Sequence, residues 1–109
     1  MPLYLTRFNY TPASWAKFIK SPEDRRGVAK TAIEAVGGKM QGFWFAFGEE
    51  DALILWEAPD NISMAATSLA ITAGGGVSSW RTFALMSVEE TMEAMKKAGA
   101  IKYKPPTAT

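Results

Sequence analysis

Three consecutive acidic residues, Glu49, Glu50 and Asp51, separate two strongly apolar runs, residues 43–47 and 52–56. Carboxylates can coordinate a divalent cation or act as general acids and bases. Adjacent residues rarely converge on one ion, however, and the spacing of a calcium-binding loop is absent from the sequence. A short connection that contains glycine and acidic residues is typical of a hairpin turn between two strands. We therefore predict a turn whose carboxylates are solvated or paired with arginine, and no metal site.

Cysteine and histidine are both absent from the sequence of 109 residues. Their absence excludes thiol nucleophiles, disulfides, thiolate zinc sites, imidazole-ligated haem and the Ser-His-Asp triad. Acid–base chemistry would have to use carboxylates, lysine, tyrosine or groups of the substrate itself. We predict no cofactor, and the sequence identifies no catalytic residue.

The composition, with 48% hydrophobic and 21% charged residues, is that of an ordinary globular domain. A net charge of +1 provides no electrostatic basis for binding nucleic acid or an anionic membrane. The first residues do not have the pattern of a signal peptide, and no run approaches the roughly 18 apolar residues that span a bilayer. We expect a cytoplasmic protein with neither nucleic acid nor membrane as a partner.

Hydrophobic periodicity and capping signals predict four strands and four helices. The strands are expected at residues 3–10, 39–47, 52–58 and 77–86, and the helices at 12–20, 21–36, 61–73 and 87–98. Ser21 is the predicted cap of the second helix, Asp60 or Asn61 that of the third, and Ser87 forms a capping box with Glu90 in the last. The predicted core-facing stripe of the third helix consists of Ile62, Ala65, Ala66, Leu69, Ala70 and Ala73. Met92 and Met95 of the last helix are also expected to contact the core.

The order of these elements is βαββαβ followed by a helix, which is the ferredoxin-like pattern of the α+β class. Right-handed crossovers give a four-stranded antiparallel sheet in the order 4-1-3-2. Residues 1–98 form a single domain, and residues 99–109 form a C-terminal tail.

Both faces of this sheet are predicted to be apolar, because the middle strands do not alternate between apolar and polar residues. In residues 43–47, for example, Phe43 and Phe45 lie on one face and Trp44 lies on the other. Two crossover helices cover only one face, and a large aromatic patch on the other is rarely left in water. We therefore predict a homodimer or higher homo-oligomer packed sheet to sheet. The alternative is that the final helix or the tail folds back over that face.

The topology also predicts a candidate site at one end of the sheet. The end of the first strand, the acidic hairpin and the start of the fourth strand meet there, and the two neighbouring strands carry Arg7 and Arg81. We predict a cleft between the sheet and the helices at this end that takes a small, planar, anionic ligand. Its expected ligand-binding residues are Asn9, Trp15, Asp51, Arg81 and Arg7. Trp80, like the other tryptophans, could line an aromatic pocket, although core packing is the more usual role.

Several segments resemble a known family. These are "MPLYLTRFNYTP", "SPEDRRGVAKTAIEAVGGKM", "FGEEDALILWEAPDN" and "WRTFALMSVEETMEAM". In this order they are similar to the GYD-domain family of small, mostly uncharacterised bacterial proteins, over residues 1 to about 97. The resemblance implies the fold and pairing of the dimeric α/β-barrel proteins. The sequence departs from the family at the tyrosine of its Gly, Tyr, Asp turn, which is Glu50 here, whereas Gly48 and Asp51 are retained.

Three functions are compatible with these features. The leading hypothesis is a homodimeric domain that binds a small ligand or acts as a regulatory module. The alternative implied by the resemblance is a cofactor-independent monooxygenase or isomerase that acts on flat aromatic molecules, with Asn9, Trp15 and Tyr10 as its polar and aromatic contacts. The third is a purely structural assembly module.

Overall fold

The computed structural model describes residues 1–107, which contain four strands and four helices. They follow the order β1 (Leu3–Tyr10), α1 (Pro12–Lys20), α2 (Arg26–Glu34), β2 (Lys39–Phe45), β3 (Ala52–Glu57), α3 (Asn61–Ala73), β4 (Val77–Leu85) and α4 (Val88–Ala98). The strands form one antiparallel sheet in the order β2-β3-β1-β4, which is the predicted order read from the opposite edge. The α+β class and the antiparallel sheet are therefore confirmed. No helix in the described part of the chain is long and apolar enough to cross a membrane.

The core lies between the sheet and the helices, on what we call the helix face. Its buried strand residues are Tyr4, Thr6 and Phe8 of β1 and Ala52, Ile54 and Trp56 of β3. Helix α2 contributes Ala29 and Ile33 to this core. The Trp56 indole donates from Nε1 to Oγ1 of Thr6 over 2.9 Å, so this buried donor is satisfied.

The opposite side of the sheet, the open face, is also largely apolar, as the strand pattern predicted. By register it carries Leu3, Leu5 and Arg7 of β1, Leu53 and Leu55 of β3, Trp44 of β2, and Arg81, Phe83 and Leu85 of β4. The Trp44 ring packs against Gly42, where a Cβ atom would lie only 2.2 Å from the indole. Trp44 nevertheless remains 51% exposed, and Phe83 remains 42% exposed. The sheet therefore presents apolar side chains to solvent on one side.

Helix α4 extends away from the rest of the chain. The molecule measures 62 × 33 × 22 Å, and its radius of gyration is 18.0 Å, against about 13 Å for a compact domain of this length. The predicted capping box is present, with Ser87 N donating to Glu90 Oε1 over 2.9 Å and Glu90 N donating to Ser87 Oγ over 3.0 Å. Met92 and Met95 are 52% and 64% exposed, so the prediction that they contact the core is wrong. Their spacing identifies an apolar helix face, but it does not say which surface covers that face.

The second helix begins later than predicted. Ser21 ends α1 instead of capping α2, because its backbone N–H donates to the Lys17 carbonyl over 2.8 Å. Ahead of α2, Asp24 accepts a hydrogen bond from Arg26 N at 3.0 Å and pairs with the Arg26 guanidinium at 2.7 Å. These contacts with Arg26 lower the pKa of Asp24 to about 2. The predicted cap at Ser21 was wrong because the same residue completes the preceding helix.

Helix α3 presents a different side to the sheet from the one predicted. Asp60 is its cap and accepts from Ser63 N at 2.8 Å, as expected. However, Ile62 and Leu69 are 81% and 69% exposed, whereas Thr67 is buried. The Thr67 hydroxyl donates to the Ser63 carbonyl over 3.0 Å, which lets a polar residue lie against the core. The helix has no charged residue, so its hydrophobic pattern does not distinguish the two sides.

Candidate functional site

Glu50, in the predicted hairpin, forms an ionic cluster with two arginines on the open face. Its side chain is only 7% exposed, and it accepts a short hydrogen bond from Arg81 Nη2. Arg7 Nε lies 3.0 Å from Glu50 Oε1. The Arg7 N–H is not directed at the carboxylate, and this buried nitrogen has no hydrogen-bond partner within residues 1–107, so the contact is an ion pair only. The Arg7 guanidinium also lies 5.1 Å from the centre of the Phe83 ring.

The sequence analysis expected the hairpin carboxylates to be solvated or paired with arginine, and in the structure Glu50 is the hairpin acid that pairs with Arg81. Hydrogen bonding to Glu50 raises the pKa of Arg81 above its usual value, so the guanidinium remains charged. The cluster carries two positive charges and one negative charge. It lies across the sheet from the core, and its arginines do not face the helices.

Asp51 joins the hairpin to β1 and α1 on the helix face of the sheet. Its Oδ2 accepts hydrogen bonds from Trp15 Nε1 at 2.9 Å and from Tyr10 N at 3.1 Å. The Asp51 backbone N–H donates to Asn9 Oδ1 over 2.9 Å, and Asn9 Nδ2 donates to Ser79 Oγ over 2.9 Å. These bonds make Asp51 a structural connector at the end of the sheet. The five predicted site residues therefore belong to two clusters and not to one cleft.

A cavity of about 370 Å³ does lie between the sheet and the helices, but different residues line it. Its walls consist of Phe8, Tyr10, Ser14, Phe18, Arg25, Val28, Ala29, Ala32, Phe43, Ile54, Ala70, Ile71, Gly74, Gly76, Val77 and Trp80. None of the five predicted ligand-binding residues is among them. Trp15 instead lines a neighbouring groove of about 220 Å³, which shares Phe18 and Arg25 with the cavity.

Aromatic side chains form a continuous wall of this cavity. Phe8 is central, with its ring centre 5.2 Å from that of Tyr10, 5.8 Å from that of Phe43 and 5.1 Å from that of Trp80. The Tyr10 ring is in turn 5.0 Å from the Phe18 ring in an edge-to-face arrangement. Such a wall offers several ring faces and edges to a flat molecule.

The polar groups of the cavity are few and unevenly placed. Trp80 Nε1 donates to Ser68 Oγ over 2.9 Å, and Ser14 Oγ donates to the Gly76 carbonyl over 2.9 Å, so both donors are already used. At the Tyr10 side, burial raises the pKa of the Tyr10 hydroxyl, while the neighbouring Arg25 acts in the opposite direction. Tyr10 is therefore a neutral hydroxyl near neutral pH, and it lies beside a positive charge.

The hairpin acids do not assemble a metal site. Within the described residues, no group of three aspartate or glutamate side chains converges as metal ligands. Glu50 is occupied by arginine and Asp51 by Trp15 and the Tyr10 backbone. The carboxylates therefore hold elements of the fold together.

The sequence pattern of the GYD domain matches residues 4–95. The chain belongs to the GYD domain family. This confirms the family to which the sequence segments were assigned. The fold of this GYD domain is similar to that of an uncharacterised NIPSNAP domain protein from Burkholderia xenovorans, with a TM-score of 0.50 and 13% sequence identity. The similarity covers 81% of this chain and 95% of that chain, and at this identity it concerns the fold alone. No curated protein matches the sequence.

In this GYD domain, the adjacent acids Glu50 and Asp51 have different structural roles. Glu50 is a buried carboxylate, and it holds Arg7 and Arg81 on the open face. Asp51 contacts the helix side instead. The two residues therefore connect the same hairpin to the two opposite faces of the sheet.

Sequence reasoning identified some of the cavity residues and missed others. The sequence analysis considered Tyr10 and Trp80 as ligand contacts. Strand alternation places Phe8 and Phe43 on the same face of the sheet as Tyr10 and Trp80. Arg25 was missed because the second helix was expected to begin at Ser21, which would have placed Arg25 in its first turn. No local signal in the sequence indicates that this arginine lies at a cavity.

Proposed function

We propose that this GYD domain binds a small, flat, largely apolar molecule in the cavity between its sheet and its helices, and that it does so as a homodimer. The observation that carries the ligand proposal is the aromatic wall formed by Phe8, Tyr10, Phe43 and Trp80 around a space of about 370 Å³. This volume is within the range of roughly 300–1,000 Å³ that is usual for small-molecule sites.

The chemistry of the lining supports binding more than acid–base catalysis. Its ionisable side chains are Tyr10 and Arg25, and no aspartate, glutamate or lysine lines the cavity within residues 1–107. Burial raises the pKa of Tyr10, which keeps its proton in place near neutral pH. Arginine stays protonated in proteins and is a poor general base. These groups are suited to orienting a ligand by hydrogen bonds.

A second copy of the chain is the partner that best accounts for the uncovered apolar surfaces. The open face and the α4 face that contains Val88, Met92 and Met95 both remain exposed within residues 1–107. Packing two open faces together removes the first surface from water. Homodimers are usually twofold symmetric, so if one projecting α4 packs against the other protomer, the second α4 makes the same contact. The charged cluster lies at the hairpin end of the open face, which leaves the apolar centre free for this contact.

Calorimetric titration with a panel of neutral and anionic bicyclic aromatic compounds tests the ligand proposal. Ala32 lines the cavity, and we expect Ala32→Trp to fill the space and abolish binding. Ala35→Trp is the matched control, because this exposed residue ends the same helix and does not line the cavity. At least one compound should bind the wild type and the control but not Ala32→Trp. The proposal is wrong if no compound binds the wild type, or if the filled variant binds equally well.

A further inference from the structure

Arg25 is the single charged residue that lines the cavity in the described part of the chain. It immediately precedes α2 and makes no side-chain cap for that helix. Its guanidinium lies 5.9 Å from the centre of the Phe18 ring, which forms part of the same wall. The arginine is therefore held at the cavity by packing, and the start of the helix does not depend on its side chain.

Most of the hydrogen-bonding capacity of Arg25 is free for a ligand. Its Nη1 donates a hydrogen bond to Glu23 Oε1 over 2.9 Å, and its guanidinium also interacts with the Tyr10 hydroxyl. A guanidinium has five N–H donors in a planar fork that matches a carboxylate. The Glu23 and Arg25 side chains are 38% and 36% exposed, and solvent-exposed pairs of this kind contribute little. A ligand carboxylate can therefore bind the remaining donors or replace Glu23.

The cavity has one polar end and one apolar end. Ring contacts lead from Arg25 through Phe18, Tyr10 and Phe8 to Trp80. The Tyr10 hydroxyl is a neutral donor beside Arg25, whereas the Trp80 N–H is already bonded to Ser68, so that Trp80 offers only its ring face. An acidic group is thus favoured at the Arg25 end of the cavity, and an aromatic ring is favoured at the Trp80 end.

We infer that the natural ligand is an aromatic acid, with its carboxylate bound by Arg25 and the Tyr10 hydroxyl and its ring system packed against Phe8, Phe43 and Trp80. This inference rests on the proposed function and specifies the class of ligand. It replaces Arg81, the arginine expected from the sequence, with Arg25. Arg81 is bound to Glu50 on the open face, whereas Arg25 lines the cavity itself.

The test compares 2-naphthoate with its neutral analogue 2-naphthamide, each titrated by calorimetry into three proteins. The wild type should bind the carboxylate about tenfold to a hundredfold more tightly than the amide, as expected for a charge-assisted hydrogen bond. Arg25→Gln should lose this preference while it retains binding of the amide. Arg26→Gln is the matched control, because Arg26 is 67% exposed, pairs with Asp24 and does not line the cavity.

The outcomes separate the inference from the proposed function. Equal affinity of the wild type for the two compounds would overturn the assignment of an acidic ligand and leave the proposed function standing. An unchanged preference in Arg25→Gln, or the same loss in Arg26→Gln, would overturn the role of Arg25. Failure of both compounds to bind any of the three proteins would overturn the inference, whereas the proposed function fails only if no compound of the wider panel binds the wild type. Thermal melts of all three proteins verify that a loss of binding does not reflect unfolding.

Discussion

The carboxylates of Glu50 and Asp51 belong to adjacent residues, yet they lie on opposite faces of the sheet. Glu50 binds Arg7 and Arg81 on the open face, and Asp51 accepts a hydrogen bond from Trp15 Nε1 on the helix face. Residues 48–51 form the bend of the hairpin and not an extended strand, so the geometry of this turn separates the two carboxylates. One hairpin therefore holds both the surface proposed for dimerisation and the elements that carry the proposed ligand cavity.

Replacement of Asp51 by alanine should destabilise the domain. Tyr10 N and Trp15 Nε1 would lose their shared acceptor, and two donors in a partly buried site would be left unpaired. We expect the free energy of unfolding to fall by about 1–3 kcal/mol. The measurement is urea denaturation monitored by circular dichroism, with the exposed Glu49→Ala as the control. Equal stability of the two variants would contradict the connecting role of Asp51.

Replacement of Glu50 by alanine should also destabilise the domain, because two arginines would lose the carboxylate that balances their positive charge. Arg7 and Arg81 would remain close together without the buried carboxylate that they share. Because both arginines are partly solvated, we expect a loss of about 1–3 kcal/mol in the free energy of unfolding. The loss should grow as ionic strength is lowered, since salt screens the repulsion between the two arginines. A loss that is independent of salt would contradict this explanation.

Arg81→Ala should separate the structural arginine from the ligand-binding one. Glu50 keeps Arg7 as a partner in this variant, so stability should fall less than in Glu50→Ala. The affinity for 2-naphthoate should remain that of the wild type, because Arg81 does not line the cavity. Calorimetry and urea denaturation of the same preparation measure both quantities. A loss of affinity with unchanged stability would return the ligand site to Arg81, where the sequence interpretation first put it.

The sequence was sufficient for the sheet because its signals are repeated along whole strands. Phe8, Ile54 and Trp56 each belong to a pattern of buried alternate residues, and the order of elements limits the topology to very few choices. The acidic hairpin was predicted because a short connection with glycine and acidic residues separates two apolar strands. The sequence could not show which hairpin acid meets the arginines, because turn geometry decides whether Glu50 or Asp51 faces each side of the sheet.

The helix side of the cavity was less predictable because its signals are local and ambiguous. Thr67 faces the core while Leu69 faces outward, and both orientations are compatible with a helix that contains no charge. Arg25 lies in a short non-helical segment, and its relation to the cavity depends on where α2 begins. Tertiary packing, and not helix propensity, determines both features.

The cap of α3 predicts an acid-dependent loss of stability. The hydrogen bond from Ser63 N lowers the pKa of Asp60 below its usual value, so the charged form stabilises the folded state. A lowered folded-state pKa gives stability that is present above the unfolded value and is lost as the pH falls through the folded value. The melting temperature of the wild type, relative to Asp60→Asn, should therefore decrease below about pH 4. A constant difference between the two proteins from about pH 6 to about pH 2.5 would contradict the prediction.

Removal of divalent cations should leave the domain unchanged. Glu50 and Asp51, the least exposed hairpin acids, are bound by arginine and by N–H donors, and cation binding would have to break these contacts. We expect the same melting temperature with and without EDTA, measured by differential scanning fluorimetry. A clear decrease with EDTA that Mg²⁺ or Ca²⁺ reverses would show a metal site that the hairpin contacts do not indicate.

The proposed homodimer gives a prediction for the mass of the protein in solution. Light scattering at micromolar concentration should give twice the chain mass of 11.9 kDa. Leu55→Asp should give the monomer mass, because Leu55 lies in the apolar centre of the open face and a charge there is costly to bury. Ile62→Asp is the matched control, since Ile62 is 81% exposed on the outer side of α3 and should leave the dimer intact. A monomeric wild type would contradict the proposed dimer. A dimeric Leu55→Asp would instead show that the chains associate through another surface, with the exposed side of α4 as the next surface to change.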